Sequence, residues 1–241
     1  MRKITMLLIL LSSFCLQSCF DVLEEINLNK KGDGDYAITF DMSSLFANPM
    51  MKEMLIQGLS EQEGMPDITV DGNLELDTLV ALKDSPLGEM NSAKMPAVFD
   101  KATMAMNISE SKGTFKIKMT LDFDKISEIQ EFYAGLNSMS EDQGSDMLAN
   151  GQSKFNIVKK RTLSRAGADS QSISSSLDEE QLSMMRMFMT NATYKVIYQL
   201  PKKVKRHNLL NATVDGKTVT VKASYLDILE GKTKLDGEVT W

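Results

Sequence analysis

Three stretches of the chain repeat one arrangement of polar and apolar residues, and that arrangement restricts the fold more than any other feature. They are "NLNKKGDGDYAITFDMSSL" (27–45), "NISESKGTFKIKMTLDFDKI" (107–126) and "NATVDGKTVTVKASYLDIL" (211–229). Each starts at Asn, turns at Gly, alternates apolar with polar residues, and reaches an acidic or hydroxyl residue before an aliphatic one. A period of two places one face of a strand in a core and the other in water, so each unit reads as a half-buried hairpin. The units differ too much in sequence for a solenoid.

Details of the alternation predict which residues face inward. In "FDVLEEINLN", Phe20, Val22, Ile26 and Leu28 share a face that Glu24 interrupts, and Tyr36, Ile38, Phe40 and Met42 continue it on the returning strand. Ala102, Met104, Met106 and Ile108 are followed by Phe115, Ile117, Met119, Leu121 and Phe123 in the same way, and Val219, Val221, Ala223 and Tyr225 close the series. "LELDTLVALKD", "SKFNIVKKRTL", "ATYKVIYQLPKKV" and "KLDGEVTW" read as further strands, the last with Leu235, Val239 and Trp241 on one side.

Helices are predicted where the apolar spacing changes to three and four. One starts at Ser43 or Ser44 with Phe46, Met50, Met54 and Leu55 inward; one covers "DKISEIQEFYAGLNSM" with Asp124 as cap; one spans 178–190 behind a capping box from Ser176 to Glu179. The small-polar run 164–176 reads as a flexible loop. The fold expected is α+β: a curved, mostly antiparallel sheet of β-hairpins packed by two or three amphipathic helices. No linker demands a second domain, so residues 19–241 read as one.

The amino terminus gives an address. Arg2 and Lys3 precede a 13-residue apolar run, "ITMLLILLSSFCL", too short to span a bilayer and placed as an export signal covering residues 1–18. "LQSC" resembles a bacterial lipoprotein box, with aliphatic Leu16, small Ser18 and then Cys19; Gln17 departs from the usual small or branched residue. The resemblance implies a lipidated Cys19 at the start of the processed chain, and two or three acyl chains hold stably where one does not. Cys15 falls within the removed segment, so the exported domain has no disulfide and must be stabilised by its core. The alternative is a plain secretory signal.

Charge is distributed unevenly. Residues 20–153 carry 24 acids and 10 bases, whereas 154–241 carry 9 acids and 15 bases, within an overall balance of −6. Complementary packing inside one fold explains this; a basic face turned toward anionic headgroups is the sharper reading. "PKKVKRH" (201–207) together with Lys159, Lys160 and Arg161 supplies residues for such a face. Nucleic acid is not an expected partner for an exported acidic protein.

No constellation for catalysis emerges. "DGKT" (215–218) and "EGKT" (230–233) lack the earlier glycine of a phosphate loop and read as hairpin turns. "GDGD" (32–35) misses the calcium-loop spacing and reads as a turn. His207 is the sole histidine and no "GxSxG" accompanies it, so neither a metal, a cofactor nor an enzymatic activity is expected, although a pair of facing carboxylates stays open. The 18 methionines concentrate in "NPMMKEML" and "QLSMMRMFMTNA". They fill a core, line an adaptable apolar groove or bind copper(I); for the groove, the candidate contacts are Met50, Met54, Met185 and Met189.

The start "SCFDVLEEINLNKKGDGDYAITFDMSS", with "YQLPKKV" and the closing "DGEVTW", resembles a class of Bacteroidetes envelope lipoproteins and, more remotely, the LppM-like lipoprotein domain. That resemblance implies an α+β domain whose sheet wraps a lipid-sized apolar cavity, and it carries no catalytic residue. The function expected is a non-enzymatic binding or scaffolding module of the outer membrane, seated on the bilayer through Cys19 and accepting a lipid or apolar envelope ligand. The alternative is a structural or assembly partner of an outer-membrane protein complex.

Overall fold

The alternation in the first strand holds without a break. Strand β1 (Asp21–Leu28) buries Val22, Glu24, Ile26 and Leu28 in turn, so Glu24 does not interrupt the inward face but belongs to it, fully buried. The computed structural model describes residues 20–47, 49, 52, 53, 69, 70, 73–84, 96–140, 153–167, 186 and 189–241.

The strands that follow are β2 (Gly34–Asp41), the two-residue β3 (Thr69–Val70), β4 (Asn73–Ala81), β5 (Ala102–Ser109) and β6 (Thr114–Phe123). Helix α1 (Ser127–Ser140) comes next, then β7 (Lys154–Val158), β8 (Thr162–Ala166), β9 (Thr193–Gln199), β10 (Arg206–His207), β11 (Ala212–Asp215) and β12 (Thr218–Ser224). The short helix α2 (Tyr225–Leu229) and β13 (Gly237–Thr240) complete the described elements.

Eight strands form one sheet in the order β11-β12-β9-β1-β2-β6-β5-β4, and β3 adds two residues beyond β4. The second sheet has the order β10-β13-β8-β7. Neither closes into a barrel. Among the described strands every pairing is antiparallel except β1 with β9, which joins the amino-terminal hairpins to the carboxy-terminal ones. Asp21 secures that parallel start: its Oδ1 accepts from the Thr193 backbone N–H at 3.0 Å and from the Thr193 hydroxyl at 2.5 Å.

The inward face of the large sheet packs on α1 and the small sheet in one apolar cluster that includes Leu121, Ile129, Phe132, Val219, Leu163 and Val239. Three rings, Tyr36, Phe99 and Phe132, meet edge to face across the α1 contact at 5.5–6.0 Å between centroids. A smaller cluster of Leu74, Ile108 and Phe115 is covered by the 3₁₀ turn Ser43–Ala47, whose Phe46 ring lies 6.3 Å from that of Phe115.

The α+β architecture of hairpins and helices is therefore as expected, with local differences. The segment from Ser43 starts as a 3₁₀ turn, while Met50, Met54 and Leu55 lie outside the described residues. Of the helix expected over 178–190, the described Arg186 and Met189 are helical. Ser164, Arg165 and Ala166, read as the start of a polar loop, belong to β8, and 168–176 lie outside the described residues. "DGKT" is the β11–β12 turn, but "EGKT" is the exit of α2, where Gly231 donates to the Ile228 carbonyl at 3.1 Å. Among the described residues, no helix is long and apolar enough to cross a membrane.

Candidate functional site

Three turns meet at one end of the molecule, each with lysine where the backbone reverses. In the first, after β1, Asn29 donates to the Asp33 carbonyl at 2.8 Å and Gly32 adopts a φ of +93°, which leaves Lys30 exposed at the tip. The second joins β7 to β8 through Lys159, Lys160 and Arg161. Lys159 and Lys160 have φ values of 51° and 57°, the left-handed region in which Gly or Asn ordinarily sits. Such conformations cost side-chain-bearing residues about 1–2 kcal/mol each, although two in succession match the twist of a tight β-hairpin.

The third segment runs from Leu200 to Lys205. Leu200 donates to the Lys217 carbonyl and Val204 to the Gly216 carbonyl, both at 2.9 Å, and Lys205 donates to the Thr240 carbonyl at 2.8 Å. Trp241 ties the ends together, its backbone N–H donating to the Arg161 carbonyl at 3.0 Å while the residue stays buried.

Between these turns lies a pocket of about 230 Å³ lined by Lys30, Lys160, Arg161, Pro201, Lys202, Lys205 and Trp241. Five of these residues are cationic, all five are exposed, and among the described residues no acidic side chain lines the pocket. Some cations elsewhere are paired, Lys52 with Glu110, Lys101 with Asp124 and Glu128, Lys116 with Asp41, and Arg186 with Glu230, whereas others, such as Lys195 and Lys222, stand in no ion pair among the described residues. Among the described residues, none of the five pocket cations forms an ion pair. Like charges gathered around one cavity raise the local potential and draw in an anion, and Trp241 beside them adds an apolar wall.

The sequence had suggested part of this site. "PKKVKRH" and Lys160–Arg161 do come together, through Lys202 and Lys205, whereas Lys159, Lys203, Arg206 and His207 are exposed outside the pocket. Lys30 and Trp241 were not anticipated. A signal for Lys30 exists: the chain contains three Lys-Lys dipeptides, at 30–31, 159–160 and 202–203, and each contributes one residue to the pocket. Of the expected apolar contacts, Met189 is half-buried against the main core; Met50, Met54, Met185 and the anchor residue Cys19 lie outside the described residues. His, Asp and Glu side chains do not gather into a metal-binding group among the described residues.

A second polar cluster lies in the interior. Arg165 donates through Nη1 to Glu24 Oε2 at 2.8 Å, and its Nε and Nη2 donate to Ser153 Oγ at 3.3 and 3.2 Å. The Tyr194 hydroxyl donates to Glu24 Oε2 at 2.8 Å and the Tyr133 hydroxyl to Oε1 at 3.3 Å; Tyr36 and Tyr133 share a hydroxyl–hydroxyl bond. Burial, and after it the Glu24 carboxylate, pushes the Tyr36, Tyr133 and Tyr194 phenols well above their ordinary value. Burial opposes the Arg165 charge, yet Glu24 outweighs it and keeps the guanidinium protonated. With Glu24 and Arg165 both sealed from water and hydrogen-bonded, this cluster locks β8 of the small sheet to β1 of the large one and offers no access to a ligand.

No family model and no curated protein matches the chain. Among solved structures, the NMR structure of the folded domain of LppM from Mycobacterium tuberculosis is remotely similar to it, with a TM-score of 0.42 and 12% identity over 92% of this chain and 88% of that one.

Proposed function

We propose that the protein is a non-enzymatic binding module of the bacterial envelope, held to a membrane through acylated Cys19, and that its ligand is an anion taken into the basic pocket. The observation that carries this reading is the convergence of five exposed cations around a cavity of about 230 Å³. The volume accommodates a phosphate or carboxylate group with part of what bears it, and the guanidinium of Arg161 offers the bidentate geometry that such groups accept. The apolar-cargo reading of the Met-rich segments is set behind this one, because Met189 is packed against the core.

Trp241 provides the test, since it is the one tryptophan of the chain and lines the pocket. Titration of the full processed protein in neutral detergent with pyrophosphate should give a saturable change in its fluorescence. The change should disappear in the Lys160→Ser/Lys202→Ser variant. A flat titration in the unsubstituted protein would remove the reading, and a processed mass without acyl chains on Cys19 would remove the anchor.

A further inference from the structure

Strand β1 separates the two features on which the proposed function rests. Phe20, the residue after the anchor position, is held at its start by the Phe40 ring at 6.0 Å and the Tyr225 ring at 5.3 Å. The eight residues of β1 then run about 25 Å, at roughly 3.3 Å per residue, to the turn that carries Lys30. The register carries both ends across the sheet: Asp21 lies opposite Asp41 and Thr193, while Asn27 lies opposite Gln199, which pairs with Thr218. Lys202, Lys205 and the β11–β12 turn with Lys217 therefore share the Lys30 pole, and Phe20, Asp41 and Ser224 share the other.

The pocket with its five cations lies at the far pole. An anchor joined to the domain through Phe20 alone has little slack to bring a site at the opposite end down to the bilayer that holds it.

We infer that the pocket faces away from the anchoring bilayer and takes a phosphate group that arrives from the opposite aqueous side, free or displayed on a second anionic surface. This rests on the reading of Cys19 as the anchor and of the pocket as an anion site. It differs from the expectation that the basic residues hold the domain against its own membrane.

The test uses the acylated full chain inserted in neutral phosphatidylcholine vesicles. Pyrophosphate should change Trp241 fluorescence, and a second population of brominated phosphatidylglycerol vesicles should quench it and become tethered, with tethering reduced roughly thirtyfold by Lys160→Ser/Lys202→Ser. Brominated phosphatidylglycerol placed in the anchoring vesicles should leave Trp241 unquenched. A pyrophosphate response without quenching from either vesicle also supports the inference and identifies a soluble ligand. Quenching by the anchoring vesicles, with the pyrophosphate response intact, overturns the inference and leaves the pocket as an anion site. No response to pyrophosphate or to either vesicle overturns both.

Discussion

Arg165 Nη1 lies 2.8 Å from Glu24 Oε2, and neither side chain is more than 1% exposed. The pair joins strands 141 residues apart in the chain. Buried ion pairs contribute little net stability when whole but cost about 3–5 kcal/mol when one partner is removed, because the other charge is stranded. Arg165→Met should therefore lower the free energy of unfolding in urea by about that amount. Glu24→Gln/Arg165→Met should cost less than Arg165→Met alone, since glutamine still accepts from the tyrosine hydroxyls without a stranded charge. An additive double-mutant cycle would show that the two residues do not act as a pair.

The tyrosines set an alkaline limit. All five in the chain are buried, and burial raises the phenol of Tyr36, Tyr133, Tyr194 and Tyr198 above the ordinary value near 10. The folded state thus holds these protons more tightly than the unfolded chain. Their contribution to stability is complete below pH 10 and declines as pH rises past it and the unfolded phenols ionise. Phenolate absorbance should appear in one cooperative step together with loss of circular dichroism. Gradual ionisation of a still-folded protein would contradict this.

Gly34 is required by proximity. A Cβ there would lie 1.8 Å from the Asn27 carbonyl oxygen across the β1–β2 hairpin. Gly34→Ala should cost about 3 kcal/mol or more, because the obstacle is backbone and cannot rotate away. At Gly113, where φ is +62° and nothing stands within 4 Å, alanine should cost only the roughly 1–2 kcal/mol of the left-handed conformation. Equal denaturation midpoints for the two variants would show that the contact at Gly34 is relieved.

Substitutions in the pocket should separate binding from folding. Lys160→Asn suits a φ of 57° better than lysine and relieves repulsion, so unfolding free energy should hold or rise by up to about 1 kcal/mol. Affinity for pyrophosphate should fall roughly fivefold, and it should fall further with added salt in the unsubstituted protein. A variant that loses stability along with affinity would give Lys160 a structural role instead.

The strands were legible because alternation is a local signal, and the α1 stripe of Ile129, Phe132, Tyr133 and Leu136 was legible for the same reason. The interior pair was not. Glu24 looks like a flaw in an apolar face until Arg165 is opposite it, and Arg165 sits in "SRAG", whose small polar residues read as loop. The parallel pairing of β1 with β9 also leaves no mark, since no turn connects them. It is this pairing that aligns the ends of distant strands and gathers Lys30 with Lys202. The lysine doublets were visible, but their convergence depends on which strand ends coincide, and periodicity within a strand does not encode that.

The position of β1 also decides how the molecule bears load. Tension applied at the residue ahead of Phe20 is directed along the axis of a strand flanked on both sides, by β2 and by β9. Such a pull shears both ladders, so their hydrogen bonds resist together instead of opening one after another. A domain hung from this end should stay folded under a traction that would unzip one suspended by an edge such as β11.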